Sequence, residues 1–176
     1  MSDSETLLHA AEVLGSGWDL PLPQGASRRS RKVDDVKATL FADGGSRGNP
    51  GPAAYGAVLY DEDGVVIHEA SAYLGTSTNN VAEWSGLIAG LEAALERGID
   101  EIEVRLDSEL VVRQLSGAYR VKQAHLQPLH AKAKSLLRRF AQAHVAHVRR
   151  AENKDADALV NQTLDAHADD RRQTGA

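Results

Sequence analysis

The chain has 176 residues, no cysteine, 20 Lys plus Arg against 25 Asp plus Glu, and a net charge of −5. That length suits one domain with room for an appendage. The missing cysteines exclude disulfides and thiolate metal sites and fit a reducing, cytoplasmic setting, while the net acidity argues against a non-specific polyanion binder. No apolar run approaches the ~20 residues that span a bilayer. Met1–Ala10 also lacks the basic start of a secretory signal.

Residues 1–36 differ from the rest and read as an N-terminal extension, flexible or loosely docked. Glu5 to Leu14 could form a short helix, with Leu7, Leu8, Ala11 and Leu14 on one side. Gly15, Gly17, Pro21, Pro23 and Gly25 then predict irregular chain, and Arg28-Arg29-Ser30-Arg31-Lys32 reads as a basic linker. From Lys37 the pattern changes. Lys37–Asp43, Ala54–Tyr60 and Val65–Leu74 are strand-like, the last two joined by the turn Asp61-Glu62-Asp63-Gly64, which predicts an antiparallel meander. Asn79–Arg97 follows as a helix with Val81, Trp84, Leu87, Ile88, Leu91 and Leu95 at helical spacing and Gly98 just past its end. Glu101–Asp107 is a strand turning Ile102, Val104 and Leu106 inward. Helices over Ser108–Leu115 and Gln127–Gln142, a strand over Ala143–Val148 and a last helix over Asn153–Asp165 complete the domain, residues 37–166. The polar tail, 167–176, is expected to fray. The order β-β-β-α-β-α-α-β-α predicts an α/β fold. Its five-stranded mixed sheet has three antiparallel strands, then two parallel ones, with helices on its faces.

Charge is segregated. Leu110 to Ala151 contains no acid but nine cations, among them Arg113, Arg120, Lys122 and Arg138, and four histidines. Such a stretch is either a solvated helical face or a basic surface for a polyanion.

The acids at element ends carry the chemistry. Asp43 closes the first strand, followed by Gly44-Gly45, and Asp107 closes the fourth, followed by Ser108 and a helix. Ligand sites in such sheets lie beyond the C-terminal ends of parallel strands. If these two strands are parallel neighbours, the two carboxylates sit side by side. Glu83 lies one turn into the first long helix and Asp157 one turn into the last. Strand-end Asp residues can also simply cap helices. Converged, however, four carboxylates repel and call for a hard divalent cation such as Mg²⁺ or Mn²⁺. Two such ions roughly 4 Å apart would clamp the attacking and leaving oxygens of a phosphodiester. The loop Gly44 to Pro52 lacks the Lys-Ser/Thr ending of a phosphate-cradling loop and opens into a strand, which argues against a nucleoside triphosphate site.

Four segments together resemble the type 1 ribonuclease H family: Asp43-Gly44-Gly45-Ser46-Arg47-Gly48-Asn49-Pro50-Gly51-Pro52, Thr78-Asn79-Asn80-Val81-Ala82-Glu83, Leu106-Asp107-Ser108-Glu109 and Glu152-Asn153-Lys154-Asp155-Ala156-Asp157-Ala158-Leu159. Their order and spacing are kept from about Lys37 to Asp165. The resemblance implies a metal-dependent endonuclease that cuts the RNA strand of an RNA/DNA hybrid, leaving a 3′-hydroxyl and a 5′-phosphate. Asp43, Glu83, Asp107 and Asp157 would be catalytic and hold two Mg²⁺ ions, with Mn²⁺ a possible substitute. Gly44, Ser46, Asn49, Asn79 and Asn80 would contact the hybrid in its minor groove, where the 2′-hydroxyl marks RNA. Thr78 reads better as an N-cap.

Some departures stand out. The family's loop histidine has no clear counterpart: His147 falls on a strand, and Arg149 or Arg150 is an equal candidate. Glu109 adds an acid where some members carry an amide. The long basic protrusion of some members is absent, since Gly117 to Gln127 is short. The implied protein is a monomer with no membrane partner. A non-catalytic hybrid-binding module of the same fold is the alternative, but its mark would be a missing carboxylate, and all four are present.

Overall fold

The structure, a computed structural model, describes residues 17–19 and 36–174. The proposed helix over Glu5–Leu14 and the basic run Arg28–Lys32 lie outside the described residues. Strands β2 (Lys37–Ser46), β3 (Gly51–Tyr60) and β4 (Val66–Ser77) form the antiparallel meander, with Asp43 opposite Gly56 and Ala54 opposite Tyr73. Strand β5 (Glu101–Leu106) runs parallel to β2, and β6 (Gln142–His147) parallel to β5. These are the five strands that the sequence predicts. A further three-residue strand, β1 (Gly17–Asp19), pairs antiparallel with β6, so the order among the described residues is β1-β6-β5-β2-β3-β4. Gly17 was expected in irregular chain. Its backbone instead satisfies the otherwise open edge of β6, a partner that local sequence does not reveal.

Helix α1 (Asn79–Glu96) starts at the N-cap Thr78, whose hydroxyl accepts from the Val81 N–H at 3.2 Å. It ends ahead of Gly98, whose φ of 72° suits glycine. Helices α2 (Glu109–Ser116) and α3 (Gln127–Leu137) follow β5, and α4 (Lys154–Gln173) follows β6. A Cβ on Gly44 would point into α1, whereas one on the next residue, Gly45, would meet Val160 of α4. Successive residues of a strand face opposite sides, so α1 and α4 cover opposite faces of the sheet. The main core lies on the α1 side, around the fully buried Leu40, Trp84, Leu87, Leu91, Val104, Leu106 and Leu115. A smaller one, Ala54, Val160 and Leu164 with Tyr73 against it, seats α4.

Several boundaries differ from the sequence reading; β3 begins at Gly51 rather than Ala54, and β4 ends at Ser77 rather than Leu74. Strand β2 continues through Gly44-Gly45-Ser46 because β3 supplies a ladder as far as Ser46 opposite Ala53, overriding the poor strand propensity of glycine. Helix α3 stops at Leu137 rather than Gln142. The chain turns there to bury Phe140 and lets the Ala141 N–H donate to the Asp100 carbonyl at 2.8 Å. Helix α4 runs to Gln173, eight residues past Asp165, so 167–173 is helix rather than frayed tail. Leu164 is buried there, and His167 stacks on Tyr73 with ring centroids 3.6 Å apart.

Candidate active site

The register of the two parallel strands sets the first pair of acids. Ala42 lies beside Leu106, so the residues that follow, Asp43 and Asp107, emerge together at the same end of the sheet. Close backbone approach brings the helices to them. A Cβ on Gly44 would lie 2.1 Å from the Ala82 carbonyl carbon and 2.2 Å from the Glu83 nitrogen, so only glycine lets α1 press Glu83 against this corner. On the other face a Cβ on Gly56, the residue opposite Asp43, would lie 2.5 Å from the Ala156 carbonyl oxygen, immediately before Asp157. Gly86, one turn beyond Glu83, is needed for the same reason, since its Cβ would be 2.7 Å from the Asp43 carbonyl oxygen.

Carboxylate oxygens of Asp43, Glu83 and Asp107 lie within 4.8 Å of one another. Asp43 and Glu83 are only 7% and 9% exposed. Burial pushes the Asp43 carboxyl up to about 7, with the Asp107 charge adding to the rise. Burial likewise pushes Glu83 up to about 9, helped by Asp43 and then Asp107. Among the described residues none of these three acids has an ion-pair partner. Their site opens into a cleft of about 440 Å³ that Ser46, Asn79, Arg150 and Asp157 also line.

Asp157 reaches the same cleft but stands outside the trio. One of its oxygens accepts from Arg150 Nη2 at 3.2 Å and the other from Asn161 Nδ2 at 3.2 Å. The amide and loop residues fall around the mouth. Asn49 Oδ1 accepts from the Asn79 N–H at 3.1 Å, satisfying a donor that α1 leaves free at its start. Ser46 Oγ is buried without a partner among the described residues. Asn80 is half-buried in the first turn of α1.

The auxiliary candidates separate cleanly. His147 is the last residue of β6, and its ring Nε2 lies 3.2 Å from the Asp107 carbonyl oxygen, so it braces the backbone that carries Asp107. Arg149 is exposed and lies outside the cleft lining; its backbone N–H donates to Glu152 Oε2 at 3.0 Å. Arg150 lies in the cleft. Glu109 turns away from it onto Arg113, 2.9 Å distant. Of the acid-free stretch, Lys132 pairs with Glu92 at 2.6 Å, whereas Arg120, Lys122, Arg138 and Arg139 are exposed with no acidic partner among the described residues.

The sequence reading passed over three contributors. Gly56 and Gly86 are the spacers just described; a glycine inside a helix costs about 1 kcal/mol against alanine, so Gly86 carried a readable signal. The third is Asn153, 1% exposed, whose Nδ2 donates to the Ala42 carbonyl at 2.9 Å. It ties the start of α4 to the residue before Asp43.

The family model described as reverse transcriptase-like matches residues 41–163. The N-terminal RNase H domain of a bifunctional protein from Mycobacterium tuberculosis is 46% identical, covers 80% of this chain and 99% of its own, and superposes with a TM-score of 0.72. The RNase H1 of Halobacterium salinarum is 47% identical, with 74% of this chain and 98% of that one covered and a TM-score of 0.70. LC11-RNase H1, solved in complex with an RNA/DNA hybrid, is 43% identical over 74% of this chain and 99% of that one, TM-score 0.70. The chain spans 37% of the full bifunctional mycobacterial protein and 63% of the curated Halobacterium ribonuclease HI.

Proposed function

The chain belongs to the type 1 ribonuclease H family, and from that premise we propose that it is a metal-dependent endonuclease hydrolysing the RNA strand of RNA/DNA hybrids. The observation that carries this reading is the trio Asp43, Glu83 and Asp107, gathered within 4.8 Å at the floor of a cleft. Hard carboxylate oxygens, two of them on buried side chains that resist ionising alone, form a donor set suited to a divalent cation. Asp43, Glu83, Asp107 and Asp157 would hold two Mg²⁺ ions, or Mn²⁺ in their place. Such ions would supply an activated water and neutralise charge on the scissile phosphate.

The remaining roles belong to the protein's own groups. Asn79, Asn80 and Ser46 offer donors and acceptors at the cleft mouth, suited to a 2′-hydroxyl, which both donates and accepts. Asn49 uses its oxygen on α1 and keeps its amide N–H groups for substrate. Gly44 acts chiefly by letting Glu83 close on Asp43. The exposed Arg120, Lys122, Arg138 and Arg139 would meet phosphates further along the duplex. We assign the catalytic unit to 37–173, with residues 1–36 appended, and place it in the cytoplasm as a monomer. A chain without cysteine needs no oxidising compartment, and one chain supplies all four acids. No helix among the described residues is long and apolar enough to cross a membrane.

The test is Asp43→Asn assayed on an end-labelled hybrid with Mg²⁺. Cleavage should vanish while the circular-dichroism spectrum and hybrid binding persist. Retained cleavage would remove Asp43 from the machinery.

A further inference from the structure

The cations around the carboxylates are unevenly shared. Asp43, Glu83 and Asp107 have no ion-pair partner among the described residues, yet the neighbouring Arg150 is committed to the fourth acid, with its Nη2 3.2 Å from Asp157 Oδ1. Arg150 opens the short 3-10 turn Arg150–Glu152 between β6 and α4, so its backbone is tethered beside the cleft while its side chain remains 81% exposed. The other oxygen of Asp157 already receives Asn161 Nδ2 at 3.2 Å. Both oxygens of Asp157 are therefore engaged by donors, and one of those donors is a full positive charge. A cation arriving at Asp157 must meet that guanidinium at close range.

We propose that Arg150 is a tethered counter-ion that holds Asp157 apart from the three-carboxylate cluster and so weakens the second of two cation-binding steps at this site. The inference rests on the two-cation reading above. Its size follows from exposure. Asp157 is 31% exposed and Arg150 far more so, and an ion pair between such groups is weak, so releasing it should cost no more than about a fivefold loss of affinity. The first step, at Asp43, Glu83 and Asp107, should move much less, because Arg150 reaches those side chains only through space, with no hydrogen bond or ion pair, whereas it bonds Asp157 directly.

The experiment is a titration of the full-length protein with Mn²⁺, free ion being counted by electron paramagnetic resonance, for the wild type, Arg150→Met, Arg150→Lys, Asp157→Asn and the Arg150→Met/Asp157→Asn pair. Thermal melts establish that each variant is folded. Arg150→Met should tighten the weaker step about two- to fivefold and the tighter one clearly less. Arg150→Lys should stay near the wild type, and Arg150→Met should change nothing once Asp157 is Asn. An unmoved weaker step, equal tightening of both steps, or the same tightening in the Asp157→Asn background would each overturn the proposal. Wild-type cleavage of a hybrid with Mg²⁺, measured in parallel, separates the two layers. Cleavage with an unmoved weaker step removes only the role of Arg150; no Mn²⁺ bound and no cleavage removes the nuclease reading with it.

Discussion

Replacing Asp43 by Asn should stabilise the cation-free protein, and more so as pH rises. In the fold the Asp43 carboxyl is pushed from an ordinary 3.8 up to about 7, first by burial and then by the neighbouring Asp107 charge. The folded state therefore holds a proton that the unfolded chain releases, so stability falls as pH climbs from about 4 and the loss is complete only above about 7. Ionising such a group in place costs about 4 kcal/mol, of which roughly 1.5 kcal/mol is already present at pH 5. Asparagine carries no charge, and its oxygen can still accept from the Gly44 N–H, but its amide must be desolvated. A net gain of about 2–3 kcal/mol at pH 8 is the reasonable expectation. For a domain of this size that raises the melting temperature by about 5–10 °C. Glu83, raised to about 9 partly by Asp43, loses a repelling neighbour in the variant, which adds to the gain with the same sign. The assay is thermal unfolding of both proteins in chelator at pH 5 and pH 8. The advantage of the variant should widen by about 2.5 kcal/mol between them. An advantage independent of pH, or a lower melting temperature for the variant at pH 8, would refute the electrostatic reasoning.

Two further substitutions test how the site is held together. Gly44→Ala places a methyl about where the Ala82 carbonyl carbon sits, at 2.1 Å, and should destabilise by about 3 kcal/mol or more in urea unfolding, with loss of cleavage; a cost under 1 kcal/mol would show that α1 can retreat without consequence. Asn153→Ala leaves the Ala42 carbonyl oxygen short of a buried partner and should cost about 1–3 kcal/mol by the same measurement, with no change meaning that solvent replaces the amide.

Much of this arrangement is legible in the sequence, for physical reasons. Asp43 and Asp107 end strands and are followed by glycine or a helix N-cap, so parallel pairing alone brings them together. Glu83 and Asp157 each sit one turn into a helix that leaves the same end of the sheet. The elements and boundaries that went astray depend on partners distant in sequence. Gly17–Asp19 is too short to show a period and becomes a strand only because β6 offers an edge. Ser46 stays in β2 because Ala53 faces it. The end of α4 is fixed by Tyr73, ninety-odd residues earlier. Within the site, residue type identified the acids but not their pairing. That Arg150 takes Asp157 while Arg149 faces solvent follows from the geometry of a three-residue turn, and two adjacent arginines look alike in a sequence. Gly44 shows the converse: it was expected against the substrate, but its lack of a side chain answers first to Ala82 and Glu83.

Hydrolysis of the RNA strand is read out by cleavage itself. An end-labelled RNA/DNA hybrid, the same RNA single-stranded and the corresponding duplex DNA would each be incubated with Mg²⁺, with Mn²⁺ and with chelator. Cutting of the RNA strand within the hybrid alone, dependent on divalent cation and leaving 3′-hydroxyl and 5′-phosphate ends, is the predicted result. Hybrid left intact with either cation, or RNA cut equally well without its DNA partner, would contradict it.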